Sequence, residues 1–170
     1  MASKPVAISG ASGWAISKQL ETHIQIGAEP SVVWRVITDF AALPEWNTFL
    51  RVRAGEAREG TLLEVEINVP GSKPMRFAPI VLRVLPNREL RWRGRVFMPG
   101  VFDGEHWFRM MPKADGTWFD HCEQFSGILV PFVMGSYQLR ATQRAFESFN
   151  ASLKARAEKV AASRMPAGAA

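Results

Sequence analysis

The chain has 170 residues, of which 47% are hydrophobic, 22% charged and 11% aromatic, with a net charge of +5. That length suits one domain that buries its core without a structural metal, and the single cysteine excludes an internal disulfide. The positive charge is spread without long basic blocks, which argues against nucleic acid as a partner. Charged residues recur too often for the roughly 18 apolar residues of a membrane-spanning helix.

Residues 1–18, "MASKPVAISGASGWAISK", are small, polar and weakly patterned, and read as a flexible leader. Within them "ISGASG" lacks the preceding strand, third glycine and following helix of a dinucleotide turn, and no cofactor is expected. With no secretory pattern and one cysteine, the expected compartment is the cytoplasm.

From residue 20 to 26 the pattern alternates, with Leu20, Thr22, Ile24 and Ile26 on one face and Glu21, His23 and Gln25 on the other, His23 being solvated. Pro30 then suits a first helical turn, and Val33, Trp34, Ile37 and Phe40 recur at helical spacing. Pro44 breaks that helix and opens an elbow that holds Trp46 and Asn47 in a second short turn, followed by an extended stretch at 48–52.

Strand signals follow at 62–69, 75–85, 90–98, 101–111 and 117–129, separated by the turn sequences "PGSKP", "PNRE", "MPG" and "PKADG". Such short connections imply an antiparallel meander. After Pro131 the pattern changes, and Phe132, Ser136, Leu139, Gln143, Phe146, Phe149, Leu153, Ala157 and Val160 step by three or four residues. Neither Gly nor Pro occurs between Ser136 and Arg164, so one long helix closes the chain before a disordered tail at 164–170.

This order, together with "VVWRVITDF", "PEWN", "ELRWRGR", "FDGEH" and "EQFSGIL", resembles the START-related, birch-pollen-allergen-like helix-grip superfamily (SRPBCC). Within it the chain is similar to the polyketide cyclase/dehydrase and lipid transport group, over about residues 20 to 160. The resemblance implies an α+β helix-grip fold in one domain at 19–163. A curved antiparallel β-sheet of about seven strands would wrap a long C-terminal α-helix, with two short helices after the first strand. Between sheet and helix the family commonly keeps a cavity for an apolar small molecule.

The motif "DHCEQFSG" gathers an aspartate, a histidine, the cysteine and a glutamate, but strand alternation divides them. Phe119, His121, Glu123 and Phe125 share the aromatic, inward face, while Asp120 and Cys122 point outward. A metal site built from Asp120, His121 and Cys122 is therefore not expected. On the preceding strand His106, Phe108 and Met110 form the inward set. With "KADG" as a four-residue hairpin loop, Met110 pairs with Phe119, Phe108 with His121, and His106 with Glu123. By the same alternation Trp92 points inward and Arg91, Arg93 and Arg95 form an outer stripe.

The expected ligand contacts are thus Trp46, Trp92, Phe108, Met110, Phe119 and Phe125, with His106, His121 and Glu123 as polar groups. The leading reading is binding of a small apolar or aromatic molecule with a polar group. The alternatives are a cyclase, aromatase or dehydratase with His106 or Glu123 as proton carrier, and an interaction module acting through its basic outer face. Both monomer and homodimer remain open.

Overall fold

The computed structural model describes residues 17–96 and 98–163. The expected tail at 164–170 and all but the last two residues of the expected leader lie outside the described residues. Ser17 and Lys18 belong to the first strand.

In chain order the elements are β1 (Ser17–Ile26), α1 (Pro30–Thr38), α2 (Leu43–Trp46), β2 (Leu50–Ala54), β3 (Glu64–Ile67), β4 (Met75–Phe77), β5 (Ile80–Leu85), β6 (Glu89–Val96), β7 (Phe102–Lys113), β8 (Gly116–Ser126), α3 (Val130–Val133) and α4 (Ser136–Ala162). Every strand pairing is antiparallel. The strands form a five-stranded sheet in the order β1-β8-β7-β6-β5 and a three-stranded sheet in the order β2-β3-β4. This is an α+β helix-grip fold, with α4 packed on the concave side of the larger sheet.

Eight strands replace the expected seven because the run at 75–85 breaks at Pro79, which has no N–H to give to a ladder. Its first half joins the small sheet and its second half the large one. The main-chain bonds Leu63 N to Pro79 O (2.8 Å) and Val81 N to Thr61 O (2.9 Å) keep the two sheets adjoining.

The run at 117–129 also ends early. Gly127 takes a left-handed backbone, φ 131°, and a side chain there would collide with the Val101 carbonyl, 2.5 Å from its Cβ position. The chain then makes the separate turn α3, which carries Phe132, and α4 starts only at Ser136. Phe132 therefore leaves the helical register expected for it and is 82% exposed.

Alternation along β6, β7 and β8 sets the core. The main apolar cluster joins Leu20, Leu90, Trp92, Phe108 and Phe119 of the sheet to Phe146, Phe149 and Leu153 of α4. A second, smaller cluster gathers Phe102, Phe125, Val130, Met134 and Leu139 around α3 and the start of α4.

The elbow between α2 and β2 depends on one side chain. Asn47 is buried, its amide nitrogen donates to the Leu43 carbonyl (2.7 Å), and its amide oxygen accepts from Phe49 N (3.1 Å) and Leu50 N (2.8 Å). Asn47→Leu strands two main-chain donors and is expected to lower unfolding stability by roughly 2–4 kcal/mol. Asn47→Asp keeps the acceptor and should lose less. Denaturant titration of both variants checks this, and equal losses in the two would contradict it.

Candidate ligand-binding cavity

The register of β7 and β8 is the one expected from the sequence, with His106 opposite Glu123, Phe108 opposite His121 and Met110 opposite Phe119. The connecting turn is tighter than expected, because Lys113 pairs with Gly116 and leaves a two-residue loop. Shortening the loop by one residue on each side preserves the pairing.

On the outer face the arginine stripe is met by acids of its own sheet. Arg91 contacts Glu89 and Glu105 at 2.8 Å each, Arg93 contacts Glu105 at 2.7 Å, and Arg95 lies 3.4 Å from Asp103. The guanidinium of Arg91 also sits over Trp107, 4.8 Å from the ring centre. The stripe is internally neutralised and so does not offer the free basic face expected of an interaction module. His23 is not merely solvated either, since it stacks on Trp118 at 4.8 Å.

Asp120 and Cys122 share this outer side, away from His121. Burial pushes the Cys122 thiol up to about 12, with the Glu21 and Asp120 charges adding to it. The thiol stays protonated near neutrality and is no nucleophile. Burial also raises Asp120, partly countered by the Trp118 indole N–H, which donates to it at 2.9 Å. Among the described residues no group of three His, Cys, Asp or Glu side chains could hold a metal ion.

The concave face divides into a filled half and a hollow half. In the filled half Phe146 of α4 lies flat on His121 at 3.6 Å between ring centres, and Phe149 lies parallel to Phe108 at 5.5 Å. His121 is fully buried and locked in polar contacts: its Nδ1 is 3.0 Å from Asn150 Oδ1, Asn150 Nδ2 donates to Thr22 Oγ1 (2.9 Å), and Thr22 Oγ1 donates to the His121 carbonyl (3.4 Å). Burial holds the imidazole well below its ordinary range, His106 lowers it further, and the Asn150 bond opposes both. It is a neutral core histidine. Phe108, Met110 and Phe119 are equally buried here.

The hollow half is a cavity of about 240 Å³ between the two apolar clusters. Its floor comes from Trp92, Gly94 and Val96 of β6, Phe102 and Gly104 of β7, and Glu123 and Phe125 of β8. Phe49 and the small sheet, through Ile67, Met75 and Phe77, close one side. Met134, Gln138 and Thr142 close the side of α4.

Two glycines face each other in the floor. Gly94 pairs with Gly104, and the room their missing side chains leave is taken by the Phe77 ring and the Glu123 carboxylate. A Cβ on Gly94 would stand 2.7 Å from the Phe77 ring, and one on Gly104 would stand 3.0 Å from Glu123 Oε1. Both glycines fall in the inward registers of their strands. That signal was present in the sequence.

Of the nine expected ligand contacts, Trp92, Glu123 and Phe125 are in the cavity wall. His106, Phe108, Met110, Phe119, His121 and Trp46 are not: the first five are core, and Trp46 packs against Phe149 at 5.1 Å, outside the hollow. The difference arises because Phe146 and Phe149 fill the sheet's centre, which the strand pattern alone leaves open.

His106 lies at the border of the two halves. It stacks on Trp92 at 4.7 Å and 3°, and its Nδ1 is 3.6 Å from Glu123 Oε2, longer than a hydrogen bond. Its Nε2 and that of His121 are buried without a hydrogen-bond partner among the described residues. Glu123 is the polar group of this pair that reaches the cavity.

The family model for polyketide cyclase / dehydrase and lipid transport matches residues 17–158. The chain belongs to this family. Solved structures agree on the fold of this polyketide cyclase/dehydrase and lipid transport member. Protein CV1439 from Chromobacterium violaceum shares 18% identity and a TM-score of 0.64, covering 82% of this chain and 97% of that one. The di-domain ARO/CYC StfQ from the steffimycin biosynthetic pathway shares 11% identity and a TM-score of 0.64, over 86% of this chain and 52% of its own. Ara h 8.0201 shares 10% identity and a TM-score of 0.62, over 84% and 99%. No curated protein matches the sequence. Among the described residues no helix of this family member is long and apolar enough to cross a membrane.

Proposed function

We propose that the protein binds one small apolar or aromatic molecule bearing a polar group, in the cavity between the Gly94 and Gly104 floor and the start of α4. The observation that carries this reading is the 240 Å³ hollow itself, walled by Trp92, Phe102, Phe125 and Phe49 with a single carboxylate, Glu123, among the aromatic rings. A dry apolar cavity of roughly 150 Å³ already accommodates benzene, so this one suits a molecule of one or two rings. Family membership and the ligand-binding helix-grip fold support it. The buried, partnerless thiol of Cys122 suits a reducing compartment, and we place the protein in the cytoplasm.

Native mass spectrometry of protein purified from its own source, with extraction of whatever co-purifies, tests the reading. The expected result is a bound mass of one- or two-ring size with one polar group. Protein that is free of ligand and also gives no heat on titration with naphthalene would contradict it.

A second reading, acid-base turnover at the same site, draws on the Glu123 and His106 pair at 3.6 Å and on the likeness to an ARO/CYC protein. Here Glu123 would exchange the proton and His106 would act through it as a positioning residue. His106→Gln should then abolish turnover while naphthalene still binds.

A further inference from the structure

The wall of the cavity has a sign. Glu123 lines it with a side chain that is 17% exposed. Neither of its oxygens accepts a hydrogen bond from a described residue: Oε2 stands off from His106 at 3.6 Å, and Oε1 rests over the bare Cα of Gly104. A carboxylate that no protein group donates to keeps its acceptor capacity for a ligand.

No cation of the wall answers it. Arg95 is the basic residue that borders the hollow, and its guanidinium turns to Asp103 at 3.4 Å. The ammonium of Lys18, which reaches the wall residue Met134, is taken up by that residue's carbonyl at 2.6 Å. The remaining polar groups, the Thr142 hydroxyl and the Gln138 amide of α4, are neutral and either donate or accept.

Resting on the cavity-binding reading above, we infer that Glu123 selects the ligand by charge and hydrogen-bonding type. The cavity takes ring compounds that present a donor, a phenolic or alcoholic hydroxyl or a protonated amine, and rejects carboxylic acids of the same skeleton. A donor gives Glu123 the hydrogen bond it lacks, and a charge-assisted one is strong. A ligand carboxylate would bring a second negative charge into a small apolar space whose bordering cation, Arg95, already faces Asp103, which like-charge repulsion and desolvation both oppose. Gly104 makes this possible by leaving room for the Glu123 carboxylate to lie against the floor. His106, held flat on Trp92, positions it from behind.

Calorimetric titration with naphthalene, 2-naphthol and 2-naphthoate separates the two claims. Wild-type protein should bind 2-naphthol at least tenfold more tightly than 2-naphthoate. In Glu123→Gln the gap should shrink to threefold or less, mainly because the acid gains. Wild-type protein that binds the acid as tightly as the alcohol overturns the selectivity and leaves cavity binding standing, as does a tenfold gap that survives in Glu123→Gln. Failure of naphthalene itself to bind overturns the cavity reading, and the selectivity with it. The wild-type comparison alone decides the matter if Glu123→Gln does not fold.

Discussion

Phe119→Ala is expected to lower unfolding stability by about 3–5 kcal/mol, whereas Phe125→Ala, an identical chemical change six residues along the same strand and on the same face, should lose clearly less, roughly 1–3 kcal/mol. Phe119 is fully buried, stacks on Phe108 at 5.5 Å and lies between Ile24 and Met110 in the sheet, so its removal leaves a void inside packed side chains. Phe125 already faces the hollow, and the contacts on that side are missing in the native state. Denaturant unfolding of both variants measures the difference. Equal losses would mean that the concave face is not divided into a filled and a hollow half.

Stability is expected to fall with acid because of His121. Its folded-state pKa is held well below the ordinary value of 6.5 by burial and by His106, whereas the unfolded chain takes up the proton near that value. Below pH 6.5 the unfolded state therefore binds more protons, and stability rises with pH. The contribution is complete above about pH 7 and is lost as pH drops toward the folded value, at up to about 1.4 kcal/mol per unit. The fall should be visible between pH 6.5 and 4.5. Unfolding free energies across that range, compared with those of His121→Gln, check the sign. A His121→Gln variant with the same slope as wild type would contradict it.

Strand alternation and turn counting were enough to place His106 opposite Glu123 and to turn Cys122 away from both, because a pleated strand allows no other arrangement. The closing helix was equally legible in the spacing of Leu139, Phe146, Phe149 and Leu153, all of them buried. What the pattern did not reveal was depth. Inward residues read alike whether a helix ring sits on them or empty space does, so Phe108, Phe119 and His121 were expected beside a ligand while Phe146 and Phe149 in fact cover them. The hollow lies instead beside Gly94 and Gly104, whose missing side chains admit Phe77 and Glu123 to its wall, and where Gly127 and Pro131 divert the chain into α3 before α4 begins. Residues that create a site by absence leave a weaker mark than aromatic ones.

Isotope-filtered NMR of the protein saturated with 2-naphthol asks where a ligand goes. The rings of Phe102 and Phe125, the Met134 methyl and the Thr142 methyl should show cross-relaxation to the naphthol protons, and Phe119 should show none. Contacts to Phe108 and Phe119 in place of that set, or none that saturate, would contradict the assignment of the cavity.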